Sequence, residues 1–105
     1  MFAHSVSMLL KPDSAAGLSE LMQKNFLPLL RNQKGFEGAI TFVALDGEEA
    51  VAISLWDHSE SAEAYGRETY PKALNALGKT IEGTRQVHTY EVSQSTFHGI
   101  GSPAL

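Results

Sequence analysis

The sequence predicts a single α+β domain in which strands and helices follow one another in the order β-α-β-β-α-β. Apolar residues alternate with a period of two in four segments, which is typical of half-buried strands. Two segments with helical spacing separate the first strand from the second and the third from the fourth, and an Asp-Gly pair joins the middle strands. Short, right-handed connections fold this order into an antiparallel sheet with both helices on one face, a ferredoxin-like sandwich.

The first strand and the first helix occupy the N-terminal third of the chain. The strand covers residues 2–10, where one face carries Phe2, His4, Val6, Met8 and Leu10. Asp13 or Ser14 then offers a side-chain cap, and apolar residues at helical spacing predict a helix over residues 14–32. Pro28 lacks a backbone N–H, so we expect a kink near the end of this helix.

A β-hairpin is predicted around Asp46-Gly47, a pair that readily adopts the positive φ angles of a two-residue turn. This turn pairs Ile40 with Ile53 and Phe42 with Val51 on one face. The opposite face, with Ala39, Val43, Ala52 and Trp56, is also apolar. Two helices cover only one face of a sheet, so we expect a second copy of the chain to bury the other, and we assign Val43 to that outer face.

The second helical region begins near Ser59, with Asp57 or Ser59 as the expected cap. Gly66 weakens its middle and Pro71 is suited to open a new segment, so a broken helix is predicted. A fourth strand follows, with Val87, Thr89 and Glu91 on one face and His88, Tyr90 and Val92 on the other. The single domain therefore spans residues 1–105, with a core of about 2–95 and a C-terminal tail of 96–105 that has loop composition.

Composition excludes several classes of function. The formal net charge of −4 and the lack of a basic run argue against nucleic acid as a partner. The chain has no cysteine, no glycine-rich nucleotide motif and no apolar run near the roughly 18 residues of a membrane span. The N-terminus does not read as a signal peptide, so a cytoplasmic protein without membrane contact is expected.

Three short motifs resemble the antibiotic biosynthesis monooxygenase family: "KGFEG" opening strand two, "SLWDHSESAEAY" leading from strand into helix, and "VHTYEV" in the last strand. The resemblance covers about residues 2–95. It implies a dimeric α/β barrel, hence a homodimer, with a ligand cavity between the sheet and the helices of each subunit. It also implies cofactor-free oxygenation by O₂ of a small phenolic, quinol or polyketide-like aromatic, without flavin, haem or metal.

Such a site must stabilise a phenol as its anion, hold it near O₂ and exclude water, which calls for aromatic walls and a few hydrogen-bond donors. Imidazole titrates near neutral pH and suits a general base. The catalytic candidates are Tyr65, His58 and His88, and the substrate-binding candidates are Trp56, Tyr70, Asn25, Asn75 and Arg67. His88 and His4 lie on adjacent predicted strands and are expected to approach each other. No third ligand accompanies them, so no metal site is predicted.

Each candidate also has a purely structural interpretation. Trp56 suits core packing at a strand-to-helix corner, His58 suits a solvent-facing position, and Arg67 suits a surface ion pair. Within the resembling family, the haem-degrading branch uses an Asn on strand one with a Trp and a His on helix two. The corresponding positions here hold Ser7 or Met8, Tyr65 and Asn75, so haem degradation is not expected. An Asn that polyketide-oxidising members use falls on Ala52. The alternative function is a non-catalytic small-molecule-binding or stress-response protein.

Overall fold

The computed structural model describes residues 1–78 and 80–96, and it confirms the βαββαβ order. The four strands are β1 (Phe2–Leu10), β2 (Phe36–Val43), β3 (Glu49–Trp56) and β4 (Ile81–Glu91). They form an antiparallel sheet in the order β2-β3-β1-β4. The tail predicted for 96–105 lies, from residue 97 onward, outside the described residues.

The two faces of the sheet differ in what covers them. Even-numbered residues of β1 point towards the helices, because the ring of His4 contacts Tyr65 and Tyr70 of the second helical region. Side chains on this face form the core together with the helices: Val6, Met8, Leu10, Ala50 and Trp56 are all buried. Val43 pairs with Ala50 and packs against the same core. The assignment of Val43 to the outer face is therefore wrong, and Trp56 faces the helices.

The hairpin between β2 and β3 has the predicted register but a different turn. Ile40 pairs with Ile53 and Phe42 with Val51, as the alternation predicts. The loop is nevertheless longer than two residues, because the Ala44 N–H donates to the carbonyl of Glu49 at 2.9 Å. The Gly47 N–H closes a tighter turn onto the Ala44 carbonyl, and of the Asp-Gly pair only Gly47 has a positive φ, of 75°. The longer loop is still centred on Asp46-Gly47, so the residues on its two sides keep the same partners. The register prediction therefore holds.

The first helix consists of α1 (Ala15–Leu21), a π-helical turn (Met22–Phe26) and α2 (Leu27–Arg31). The kink expected at Pro28 takes the form of this wide turn, in which the Leu27 N–H donates to the carbonyl of Met22, five residues back. A proline ring clashes with the carbonyl four residues before it in a regular helix, and widening the preceding turn relieves that clash.

The first π-turn also aligns the apolar side of the first helix. Leu18, Met22, Phe26 and Leu30 recur every four residues, a spacing that drifts by about 120° over three steps of a regular α-helix. A π-turn inserts one extra residue and takes back about 100° of that drift. Consequently Leu18, Phe26 and Leu30 are all buried on one side.

The second helix repeats this construction with α3 (Ser59–Ala64), a π-helical turn (Tyr65–Thr69) and α4 (Tyr70–Leu77). The Tyr70 N–H donates to the Tyr65 carbonyl, again directly before a proline, Pro71. The predicted interruption takes the form of this π-turn around Gly66, and Pro71 lies in the first turn of the new segment α4, as expected. Residues five apart would lie about 140° apart in a regular α-helix. The π-turn places Tyr65 and Tyr70 one above the other, and both are buried.

The first helix begins after Ser14, one of the two predicted cap residues, whereas the second begins after His58 rather than after Asp57 or Ser59. Ser14 and His58 are the N-cap residues, and neither side chain makes a capping hydrogen bond. The Asp57 carboxylate accepts from the Ser61 hydroxyl at 3.1 Å, and the Asp57 N–H donates to the Gly35 carbonyl at 2.9 Å. Gly35 has a φ of 83°, and a Cβ there would overlap the side chains of Asp57 and Ser61. Gly35, the first glycine of "KGFEG", thus lets the loop before β2 contact the start of the second helix.

We expect Gly35→Ala to destabilise the fold more than Gly47→Ala does. Both glycines have a positive φ, which costs an L-residue about 1 to 2 kcal/mol. A Cβ at Gly47 meets no atom within 4 Å, whereas at Gly35 it overlaps two side chains. Denaturant unfolding should therefore show a loss for Gly35→Ala at least roughly twice that for Gly47→Ala. Equal losses would contradict the close contact between Gly35 and the second helix.

Candidate active site

A narrow recess lies between the helix-facing side of the sheet and the two helices. Its free volume is about 400 Å³ when the mouth is counted, but only about 30 Å³ is wide enough for the centre of a water molecule. Met22, Phe26 and Leu30 of the first helix form one wall. The polar groups in the lining are His4, Ser54, Tyr65 and Tyr70, and no carboxylate or ammonium is among the described residues that line it.

His4 is the histidine that the fold brings into this recess. Its side chain is only 5% exposed, and its ring meets Tyr65 and Tyr70 edge-on with centroid distances of 5.4 and 5.3 Å. Burial lowers its pKa from the usual 6.5, because the charged imidazolium loses hydration there. The imidazole is therefore neutral at physiological pH.

The two tyrosines of the recess are neutral hydrogen-bond donors. Burial raises the pKa of Tyr65 to about 12, and the nearby Tyr70 adds to the shift. Burial also raises the pKa of Tyr70, while Arg85 opposes that shift. Arg85 Nε donates to the Tyr70 hydroxyl oxygen at 3.2 Å, which leaves the proton of Tyr70 free for a ligand. The Tyr65 hydroxyl makes no hydrogen bond to any residue in 1–78 or 80–96.

Trp56 forms the core behind the recess. It is 0% exposed, stacks on Tyr65 with a centroid distance of 5.1 Å, and meets Phe36 edge-on at 5.7 Å. Its indole N–H donates to the Ser54 hydroxyl at 2.9 Å, which in turn donates to the His4 carbonyl at 3.5 Å. Trp56 thus supports the Tyr65 ring and the β1 backbone at His4 without lining the recess itself.

The two histidines predicted as catalytic lie elsewhere. His58 is exposed at the start of α3, with Nδ1 3.1 Å from Asp57 Oδ2. His88 pairs with Ser5 on the outer face of the sheet and stacks on Tyr90 with a centroid distance of 6.0 Å. His4 pairs with Thr89, the neighbour of His88, and successive residues of a strand point to opposite faces of the sheet. The expected approach of His4 and His88 therefore does not occur.

The predicted polar ligand contacts are also outside the recess. Asn25 and Asn75 are exposed on their helices. Arg67 is exposed and lies 3.7 Å from a carboxylate oxygen of its neighbour Glu68. Of the eight site residues predicted from the sequence, the fold brings Tyr65 and Tyr70 to the recess and places Trp56 directly behind them.

Of the residues that line the recess, only Tyr65 and Tyr70 are among the predicted site residues, and the polar side chains that the prediction missed are His4 and Ser54. His4 carried a usable signal, because it is the one strongly polar residue on the apolar face of β1. Among the described residues, no group of His, Asp or Glu is arranged to hold a metal ion. A search of the same part of the chain finds no helix of the length and apolarity that a membrane span needs.

We expect the three aromatic residues to differ sharply in their contribution to stability. Trp56→Ala removes a fully buried ring and should cost about 3 to 5 kcal/mol. Tyr70→Phe loses its hydrogen bond to Arg85 and should cost about 1 kcal/mol. Tyr65→Phe removes a buried hydroxyl that has no partner among the described residues, so thermal unfolding should be unchanged or slightly improved. A large loss for Tyr65→Phe would show that its hydroxyl has a structural partner.

We expect stability to fall as the pH is lowered through the unfolded-state pKa of histidine, about 6.5. His4 has a lower pKa when folded, so below that pH the unfolded chain binds more protons and gains stability relative to the native state. The loss ends once the pH is below the folded pKa. Melting temperatures between pH 5 and 8 should show a weaker pH dependence for His4→Phe than for wild type. His88→Gln, a change on the outer face, is the control and should keep the wild-type profile.

Comparison with solved structures identifies the fold. A protein of unknown function from Nitrosomonas europaea matches with a TM-score of 0.74 and 15% identity over 93% of this chain and 94% of its own. The monooxygenase from the gene ActVA-Orf6 of Streptomyces coelicolor, solved with nanaomycin D, matches with a TM-score of 0.72 and 20% identity over 85% of this chain and 84% of its own. SnoaB, a cofactor-independent oxygenase from Streptomyces nogalater, matches with a TM-score of 0.72 and 14% identity over 90% of this chain and 95% of its own.

Sequence comparison adds no closer relative. No protein-family model matches the chain, and neither does any curated protein. At these identities the structural matches establish the fold alone. Other similar structures are named antibiotic biosynthesis monooxygenases. The chain therefore has the α+β, ferredoxin-like fold of the structures that carry that name.

Proposed function

We propose that this protein is a cofactor-independent monooxygenase that oxidises a small phenolic, quinol or anthrone-type aromatic with O₂. The observation that carries the proposal is the recess itself: among the described residues, its apolar and aromatic walls contain a neutral imidazole and three hydroxyl groups as their only polar side chains. These are the groups that orient an aromatic ring and stabilise an oxyanion while excluding water. The named oxygenases among the similar folds support the same class of reaction.

The reaction balances with the substrate as the only electron donor. Loss of a proton converts the aromatic to its anion, which transfers one electron to O₂. The substrate radical and superoxide then combine into a peroxide anion, which takes back the proton to become a hydroperoxide. Cleavage of its O–O bond with release of water leaves a new carbonyl. For an anthrone, the CH₂ group and O₂ become C=O and H₂O. The hydroxyls of Tyr65 and Tyr70 stabilise the substrate oxyanion by donating to it.

Binding requires the recess to widen. The part of the recess that the centre of a water molecule can reach is about 30 Å³, which admits one or two waters and no aromatic ring. Met22 is half-buried in the wall and its unbranched side chain adapts readily to a new shape. The second candidate function is a ligand-binding protein without catalysis. The narrow recess favours it because side chains close the recess in the free protein, and binding of a ligand would open it.

We also propose that the protein is a homodimer joined through the outer face of the sheet. Large apolar side chains on this face are exposed: Leu9, Ile40, Phe42 and Tyr90. Phe42, in β2, the first strand of the hairpin, is 53% exposed. Exposed apolar residues on one continuous sheet face favour a symmetric partner with the same surface.

We expect oxygen uptake with an anthrone or a dihydroxynaphthalene in metal-free buffer, with one O₂ consumed per product formed. Extensive dialysis against chelator should leave this rate unchanged, since the proposed reaction takes its electrons from the substrate. An oxygen electrode with product analysis makes the measurement, and boiled protein is the control. Activity that is lost on dialysis and returns with one added metal would overturn the cofactor-free mechanism. Ligand-induced change of Trp56 fluorescence without oxygen uptake would favour the binding function.

We expect Phe42→Lys to yield a folded monomer, because the charge lies on the outer face and would have to be buried in the dimer. Val43→Lys is the matched comparison: its side chain packs against the core, so it should lower the melting temperature instead. Sedimentation velocity and thermal unfolding distinguish the two effects. A wild-type protein that sediments as a monomer at micromolar concentration would contradict the dimer.

A further inference from the structure

His4 is a buried residue whose side chain makes no hydrogen bond to any residue in 1–78 or 80–96. We propose that His4 is the catalytic base of the recess: its imidazole accepts the phenolic proton of the bound aromatic, and the resulting anion is held by the hydroxyls of Tyr65 and Tyr70. The step breaks the phenol O–H bond and forms an N–H bond on His4, with no oxidant involved. This inference rests on the proposed function and names the residue that begins its reaction.

The geometry around His4 leaves its ring nitrogens available to a ligand. The side chain is 5% exposed and hydrogen-bonds to no residue within the described ranges. Yet no side-chain nitrogen or oxygen in that part of the chain is both sealed from solvent and unpartnered. The ring nitrogens of His4 therefore keep some exposure, and His4 is one of the residues that line the recess. A buried imidazole in a protein usually has a hydrogen-bond partner, and here a ligand could supply it. Gly66 of the second helix lies beside this ring, since a Cβ there would be in ordinary van der Waals contact with Nε2 at 3.7 Å.

The charges around His4 determine which ligand it would deprotonate. Tyr65 and Tyr70 face it from the second helix, and Ser54 and Thr89 flank it from the neighbouring strands. The first helix lines the recess with Met22, Phe26 and Leu30, which carry no charge. On β4, Arg85 contacts Tyr70 and brings positive charge, while Glu91 is exposed and pairs with Phe2. None of the lining residues that the structure describes offers an anion to imidazolium.

It follows that His4 gains a proton only when the ligand itself becomes the anion. An imidazolium alone in this recess is unfavourable, as the lowered pKa of His4 reflects. A phenolate beside it supplies the missing negative charge and receives hydrogen bonds from two tyrosines that stay protonated. The substrate class is therefore an acidic phenol or enol, whose own pKa is low enough for the transfer to be close to balanced.

The test uses 4-nitrophenol, whose anion absorbs visible light and whose nitro group makes it resistant to oxidation by O₂. Titration with wild-type protein at a pH below the pKa of free nitrophenol should produce the yellow anion on binding. In His4→Gln the bound anion-to-neutral ratio should be at least tenfold lower. His58→Gln, the same substitution at an exposed histidine outside both the recess and the outer face, is the matched control and should behave as wild type.

A second measurement does not depend on the variant folding. Nitrogen-15 NMR of histidine-labelled wild type should show the His4 ring changing from neutral imidazole to imidazolium when nitrophenol is added. A bound phenol that stays neutral, or equal anion formation in wild type and His4→Gln, overturns the role of His4. Oxygen uptake with anthrone would still stand in that case, so failure of this inference is distinguishable from failure of the proposed function. No binding of nitrophenol to wild type overturns the inference and the proposed ligand class together.

Discussion

Two prolines that cannot donate a backbone hydrogen bond determine how the helices lie over the sheet. Pro28 and Pro71 each follow a π-helical turn, and in each case the residue before the proline donates to the carbonyl five residues back. The same local solution to the same steric conflict appears in both helices. Because an extra residue in a turn rotates everything after it, these turns decide which side chains face the sheet.

The composition of the recess follows from that rotation. Tyr65 and Tyr70 share one side of the second helix only because five residues make one turn there, and both rings then meet His4 of the central strand β1. Trp56 fixes the Tyr65 ring by stacking behind it. The His4 imidazole and the Tyr65 hydroxyl have no hydrogen-bond partner among the described residues, although neither is sealed from solvent. Such groups persist where a ligand completes their hydrogen bonds, which is the physical reason to regard this recess as a site.

The strands and their pairing could be predicted from the sequence, whereas the site could be predicted only in part. Period-two alternation and the hairpin place Ile40 opposite Ile53 whether the turn has two residues or four, so that prediction tolerated an error in the turn. The face of the sheet that the helices cover could not be predicted in the same way, because both faces of the hairpin are apolar and only the packed helices distinguish them.

The histidines show why residue type alone is a weak guide to a site. His58 and His88 have suitable chemistry but lie on the surface, one at a helix start and the other on the outer face of the sheet. His4 stood out in the sequence as a polar residue on an apolar strand face, yet its importance depends on two helix positions whose alignment requires a π-turn. Spacing rules that assume a regular α-helix place Tyr65 and Tyr70 on different sides.

The central claim is that a small aromatic binds between the helices and the sheet with its acidic oxygen at His4, and a crystal structure of a complex tests it most directly. Crystals grown with 4-nitrophenol near neutral pH should show the ring against Met22 and Tyr65, with the phenolic oxygen within hydrogen-bond distance of a His4 ring nitrogen and a tyrosine hydroxyl. A recess that remains closed while the ligand occupies the outer face of the sheet, or no site at all, would contradict the account.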